Sequence, residues 1–166
     1  AVWQDGRWSA LGNGVTMSAN AYQSLSVAVD PAGGYLYVAG QMAGAGEISA
    51  RNIARWDGHS WSALGSGVGP NTSDAIMALA VTGTGDVIVG GYFASAGGVV
   101  ARYIARWDGR QWTELGGGVN GTVRSIALGP DGSLYVAGDF TTAGGASANR
   151  VARWDGQAWS PVGGGA

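Results

Sequence analysis

All eight tryptophans stand at just two phases of one repeating element, and no other feature restricts the fold so tightly. Trp3 and Trp8 recur as Trp56 and Trp61, Trp107 and Trp112, then Trp154 and Trp159. The segments RNIARWDGHSWSALGSGV, RYIARWDGRQWTELGGGV and NRVARWDGQAWSPVGGG differ at few places; the opening AVWQDGRWSALGNGV is the same element with its first part missing. Between these lies a second element, read as SLSVAVDPAGGYLYVAGQMAGAG, IMALAVTGTGDVIVGGYFASAGG and VRSIALGPDGSLYVAGDFTTAGG. Each copy of it is an apolar strand, a Gly/Pro/Asp turn and another apolar strand, which is a hairpin signature. The Trp element is a second hairpin, turned at Asp-Gly. Every repeat therefore supplies four strands, A and B from the first hairpin and C and D from the second.

Equivalent tryptophans are 53, 51 and then 47 residues apart. From Met42, Phe93 and Phe140 to the next Trp the distance is always 14, so the B-to-C connection is fixed. The variation falls mostly between D and A, at 13–23, 66–74 and 117–122. Length varies more readily in surface loops than in packed strands, so the D-to-A loops are expected to face solvent. The apolar runs 87–89 and 134–137 are expected to be strands buried on both faces.

Repeats of this period with four strands match propeller blades. The expected fold is all-β: four-stranded antiparallel β-propeller blades in tandem, about 3.5 repeats, with an open β superhelix of the same blades as the alternative. The array divides as a C–D half-repeat at 1–14 and repeats at 15–67, 68–118 and 119–166. Helical solenoids are excluded, because no window carries a 3.6-residue apolar period. Collagen is excluded too: the 32 glycines have no Gly-X-Y period and only four prolines accompany them. Closed propellers use about four to eight blades. The expectation is that these residues are a window of a longer repeat chain; alternatively, copies assemble with the first hairpin docked on a neighbour. Either way an uncapped end exposes strand edges and calls for a partner, neighbouring copies or further repeats of the same chain.

The pattern IARWDGxxWSxLGxGV…LYVAGxFxxAGG resembles the propeller repeats of secreted bacterial surface proteins along the whole chain. It is similar, more distantly, to kelch-type blades and to the repeats of fungal cortical-marker surface proteins. The glycine doublets depart from the kelch pattern. Gly97–Gly98 and Gly144–Gly145 lie in the B-to-C loop, where the first copy has Gly44-Ala45-Gly46. The resemblance implies a propeller fold and carries no shared catalytic motif.

Residue by residue, structural roles dominate. The Trp pairs fit either a ladder of sugar-binding platforms or packing, with one Trp per blade filling the space between blades and the other closing the hairpin; packing is the expectation. Arg55, Arg106 and Arg153 alternate with Asp57, Asp108 and Asp155 around a Trp. Residues two apart in a strand share a face, so each Arg and Asp is expected to form a structural pair, or the Asp to cap the turn. Asn71 and Asn120 head Asn-x-Ser/Thr tripeptides and are candidate glycosylation sites.

The other chemistries lack their residues. No D-x-D-x-D-G loop suggests Ca²⁺, and the single histidine, His59, leaves no zinc set and no Ser-His-Asp triad. Glu47 and Glu114 occupy different phases of the repeat, which gives little support to a glycosidase pair. No catalytic residue, metal or cofactor is expected. Nine arginines, no lysine and eleven acids form no basic stripe for nucleic acid, and the apolar runs are too short for membrane insertion. Few charges, no cysteine and abundant Gly, Ala, Ser and Thr suit an extracellular or cell-surface protein. The expected function is a non-enzymatic structural and adhesive module of a larger propeller or filament. The alternative is a lectin-like propeller taking glycans on its D–A loop face, with Tyr22, Tyr92 and Tyr103 as residues to watch.

Overall fold

A computed structural model of the chain describes residues 1–19, 21, 25–71 and 73–163, and these form strands, turns and loops without a helix. The opening hairpin pairs β1 (Val2–Gln4) with β2 (Arg7–Ser9), placing Trp3 opposite Trp8. After β3 (Val15–Met17) comes the first complete blade. It is an antiparallel sheet of β4 (Leu25–Val29), β5 (Leu36–Gly40), β8 (Ile53–Trp56) and β9 (Trp61–Ala63), in that spatial order. Its B-to-C connection holds a small ribbon of β6 (Met42–Ala45) and β7 (Ile48–Ser49).

The plan repeats twice. The second blade orders β10 (Ala75–Val81), β11 (Val87–Tyr92), β14 (Ile104–Trp107) and β15 (Trp112–Glu114), with a ribbon of β12 (Ser95–Ala96) and β13 (Val99–Val100). The third orders β16 (Val123–Leu128), β17 (Leu134–Gly138), β20 (Val151–Trp154) and β21 (Trp159–Pro161), with a ribbon of β18 (Thr142–Ala143) and β19 (Ala146–Ser147). The chain thus consists of propeller-type blades of four antiparallel strands. The ribbons extend the two-hairpin plan read from the sequence. Their signal is the small-residue turn in GAGE, AGGV and AGGA, which makes a tight reversal without bulky side chains.

The blades stack face to face, and side chains alternate between the two neighbours as strand geometry requires. Val87 and Val89 of β11 share a core with Tyr37, Ala39 and Ile53 of the first blade. Ile88 points the other way, into a core with Val123, Leu134 and Val136 of the third. The run 87–89 is accordingly buried on both faces. The run 134–137 is not, contrary to expectation: Leu134 and Val136 are buried while Tyr135 is exposed. Its counterpart Tyr37 is covered by the next blade, and among the described residues the outer face of β17 has no such cover.

The D-to-A loops also depart from expectation. Val68 and Val119 are fully covered and bridge to Ala96 and Ala143 of the ribbons, as β3 pairs with β6. The N–H of Val68 donates to Arg51 O at 3.1 Å, and Gly69 N–H donates to Ser95 O at 2.8 Å. The first half of each loop is therefore an extra rung between blades, while Pro70, Asn71 and Ser73 stand in solvent. Length differences are absorbed at such tips, beyond the covered valine. In the first loop, positions 20 and 22–23 lie outside the described residues.

Asn52, Tyr103 and Arg150 precede the C strands with φ of 63°, 63° and 66°. Asn tolerates this left-handed conformation best. Buried Asn52 also accepts from Met42 N–H at 3.1 Å and donates through Nδ2 to Val68 O and Asp74 O at 2.8 and 3.1 Å. One amide thereby fixes the ribbon and the D-to-A loop. Asn52→Ala should strand these buried groups and lower unfolding free energy by about 1–3 kcal/mol, read from urea denaturation.

Candidate functional site

The most regular construction in the molecule is the joint between consecutive repeats. Each Trp pair faces across its C–D hairpin, with ring centroids 5.3–5.4 Å apart. In the three complete blades the second indole of the pair reaches back to the preceding repeat. Trp61 Nε1–H donates to Leu11 O at 3.0 Å, Trp112 to Leu64 O at 2.8 Å and Trp159 to Leu115 O at 2.9 Å. The first indole covers the glycine that follows that leucine. A Cβ on Gly116 would lie 2.1 Å from the Trp154 ring, and Gly116 has φ +57°, so only glycine fits there.

Both members of a pair therefore span the joint, which corrects the division into one Trp between blades and one closing the hairpin. The partner was visible in sequence as Leu11-Gly12, Leu64-Gly65 and Leu115-Gly116, three residues beyond the second Trp of each preceding hairpin. Trp107, Trp112 and Trp159 are buried, and Trp56, Trp61 and Trp154 half-buried. Trp3 and Trp8 are 57% and 70% exposed, since no described residue stands in front of them as a preceding repeat does elsewhere. Trp107 Nε1 is buried without a partner.

The Arg–Asp pairing expected within each Arg-Trp-Asp is not formed. The C strands end at Trp56, Trp107 and Trp154, so the following Asp already lies in the turn and no longer shares a strand face with the Arg. Asp57, Asp108 and Asp155 cap their turns, each Oδ1 accepting two backbone N–H bonds at 2.7–2.9 Å. The arginines pair instead with A-to-B turns: Arg106 with Asp86 at 2.9 Å and Arg153 with Asp131 at 2.8 Å. Arg55 stacks over Tyr35 and donates to Ser62 Oγ. Asp30, Asp86 and Asp131 are legible in sequence as acids in or beside the A-to-B turns, but the pairing of Asp86 and Asp131 with the arginines of the C strands is not.

Backbone N–H donors hold the carboxyls of Asp57, Asp108 and Asp155 below the usual Asp range, led by the N–H of Ser60, Gln111 and Ala158 respectively. Asp139, paired bidentately with Arg124, is lowered by that guanidinium.

Two surface features lie outside the joints. Leu25, Val27 and Val29 of β4 form an exposed apolar row on the face of the first blade that looks away from the second. Tyr92 and Tyr103, with ring centroids 6.3 Å apart, line a shallow cleft of about 180 Å³ with Asn71, Ser73 and Asp74 of the D-to-A loop. Tyr22 lies outside the described residues, as does Thr72 of the Asn71 tripeptide. Asn71 is exposed. The Asn120 side chain is engaged, accepting from the N–H of Thr141 and Thr142 and donating to Thr141 Oγ1. Among the described residues no three His, Cys, Asp or Glu side chains gather into a metal site.

A family model described as a domain of unknown function (DUF5122), beta-propeller, matches residues 129–154, which run from the A-to-B turn of the third blade to the end of its C strand. No curated protein and no solved structure shows a significant match to the chain.

Two outcomes test this account. Trp112→Phe removes the indole donor to Leu64 O, which keeps the Gly67 N–H at 3.1 Å, and should cost about 0.5–1.5 kcal/mol by urea denaturation. Trp107→Phe removes a donor that has no partner and should cost clearly less. The pH dependence follows from the lowered carboxyls: their stabilisation is present above the unfolded Asp pKa of 3.8 and is lost as pH falls through the lower folded values. Asp108→Asn keeps an acceptor but removes the titration. Its Tm should fall less steeply than that of the parent between about pH 4 and pH 2.

Proposed function

We propose that the chain is a non-enzymatic structural and adhesive repeat module of the cell surface or extracellular space, forming part of a larger propeller or filament-like assembly. The observation that carries this reading is the repeated joint. The same indole-to-carbonyl contact is made three times, and the residues each repeat presents forward are those the next repeat needs. Such a unit is suited to extension. The joints also engage six of the eight tryptophans, which removes most of the aromatic faces a sugar ladder would use. The composition supports an extracellular setting, with no cysteine, no lysine and 32 glycines among 166 residues.

A second reading is favoured by one feature, the Tyr92–Tyr103 cleft beside the D-to-A loop, where aromatic rings and the polar groups of Asn71 and Ser73 suit a glycan. Light scattering with negative-stain imaging of the native material separates the two. The structural reading expects rings or fibres well above the 16.7 kDa of this chain. A 16.7 kDa particle that binds a glycan array, and loses that binding in Tyr92→Ala, overturns it in favour of a lectin.

A further inference from the structure

Two unsatisfied surfaces border the same volume, beside the opening hairpin and in front of the first blade. One is the backbone edge of β1, which among the described residues pairs only with β2. In the complete blades the equivalent C strands pair on both sides, with D and with B: β8 with β5, β14 with β11, β20 with β17. The other is the row Leu25, Val27 and Val29, exposed at 46%, 67% and 64%. Their counterparts in the second blade are Ile76, Leu79 and Val81. Ile76 and Val81 are buried, and all three join a core with Tyr37 and Ala39 of the preceding B strand and Ala28 of the preceding A strand.

We infer that this volume is a receptor for one A–B hairpin of the same repeat type, supplied by a further repeat. This deepens the structural reading above and rests on it. The occupant's B strand would add to the edge of β1 by main-chain pairing, a recognised mode of strand addition. Register follows from the repeat. Leu36, Val87 and Leu134 lie opposite Trp56, Trp107 and Trp154, so the corresponding residue of the occupant lies opposite Trp3. Its small, alternating face then covers Leu25, Val27 and Val29, as Ser26, Ala28, Tyr37 and Ala39 face the second blade. That face recurs in type between the first and third blades of this chain: Ser125, Ala127, Tyr135 and Ala137 repeat it position for position. A whole blade from a second copy fits less well, because its own C–D hairpin would fall where β1 and β2 already stand, with Trp61 bonded to Leu11 O.

The chain has no cysteine, which allows a direct test. Val27→Cys and, as a control, the exposed Val100→Cys are labelled with a maleimide in two backgrounds: the 166-residue chain, and the same chain with residues 119–151 duplicated ahead of Ala1. The duplication restores register, because Ala1 and Trp3 stand at the phase of Ala152 and Trp154. In the extended chain the thiol of Val27→Cys should label at least about tenfold more slowly, and the amides of 2–4 should gain exchange protection. Labelling of the Val100→Cys control should be the same in both backgrounds. Val27→Asp in the extended chain should release the amide protection while the second and third blades stay folded. Equal labelling of Val27→Cys in both backgrounds overturns the inference. Slow, concentration-dependent labelling in the parent chain also overturns it, since a second copy then occupies the face. That last outcome would leave the structural reading standing, whereas failure of the native material to assemble would remove that reading independently.

Discussion

The fold depends on a bond that crosses from one repeat to the one before it, indole N–H to leucine carbonyl. The leucine carbonyl that follows each D strand already accepts a backbone N–H three residues on, from Gly14, Gly67 and Gly118 for Leu11, Leu64 and Leu115. The next repeat adds a second donor on a large apolar ring, so one side chain both fills the remaining acceptor site of that oxygen and seals the gap around it. The glycine after the leucine lets the companion ring lie flat against the backbone. Requirements of hydrogen bonding, volume and close approach are met together, and for that reason the residues involved vary little while the loops around them vary in length.

Each sheet needs both neighbours, because its inner strands send side chains alternately to either side. The second blade has both, and its B strand is apolar at every buried position from Val87 to Val89. Among the described residues the first and third blades each pack one face on a neighbouring four-stranded blade. On the other face of the first blade Val38 is buried against Met42 while Val27 is exposed, and on that of the third blade Tyr135 is exposed. These exposures follow from position in the array, since the same repeat positions are buried or half-buried where a neighbour is present.

Much of this was legible in the sequence. The two Trp phases, the Asp-Gly turns and the alternating apolar runs specify four strands per repeat, and each signal is local. The relations that were missed join distant segments. Arg106 could be read as a neighbour of Asp108, two residues away; its true partner, Asp86, is 20 residues upstream and meets it only when β11 pairs with β14. Val68 sits in a segment of variable length and reads as loop, yet the fold draws it between two ribbons. Tyr135 lies in a run that reads as doubly buried, and whether it is covered depends on what stacks beyond it. The Tyr92–Tyr103 cleft is likewise assembled from a B strand, the start of a C strand and a D-to-A loop, with no short motif to announce it.

The indole bond also has a direction. Every repeat gives its N–H backwards and offers its carbonyl forwards, so no joint in the array is symmetric. The two sides of a joint are consequently different chemical objects, a donating side of tryptophan rings, as at Trp3 and Trp8, and an accepting side, as at Val162 in the place of the leucine. An assembly extended by this contact is polar, as a thread with a head and a tail is, and two arrays meeting head to head could not use it.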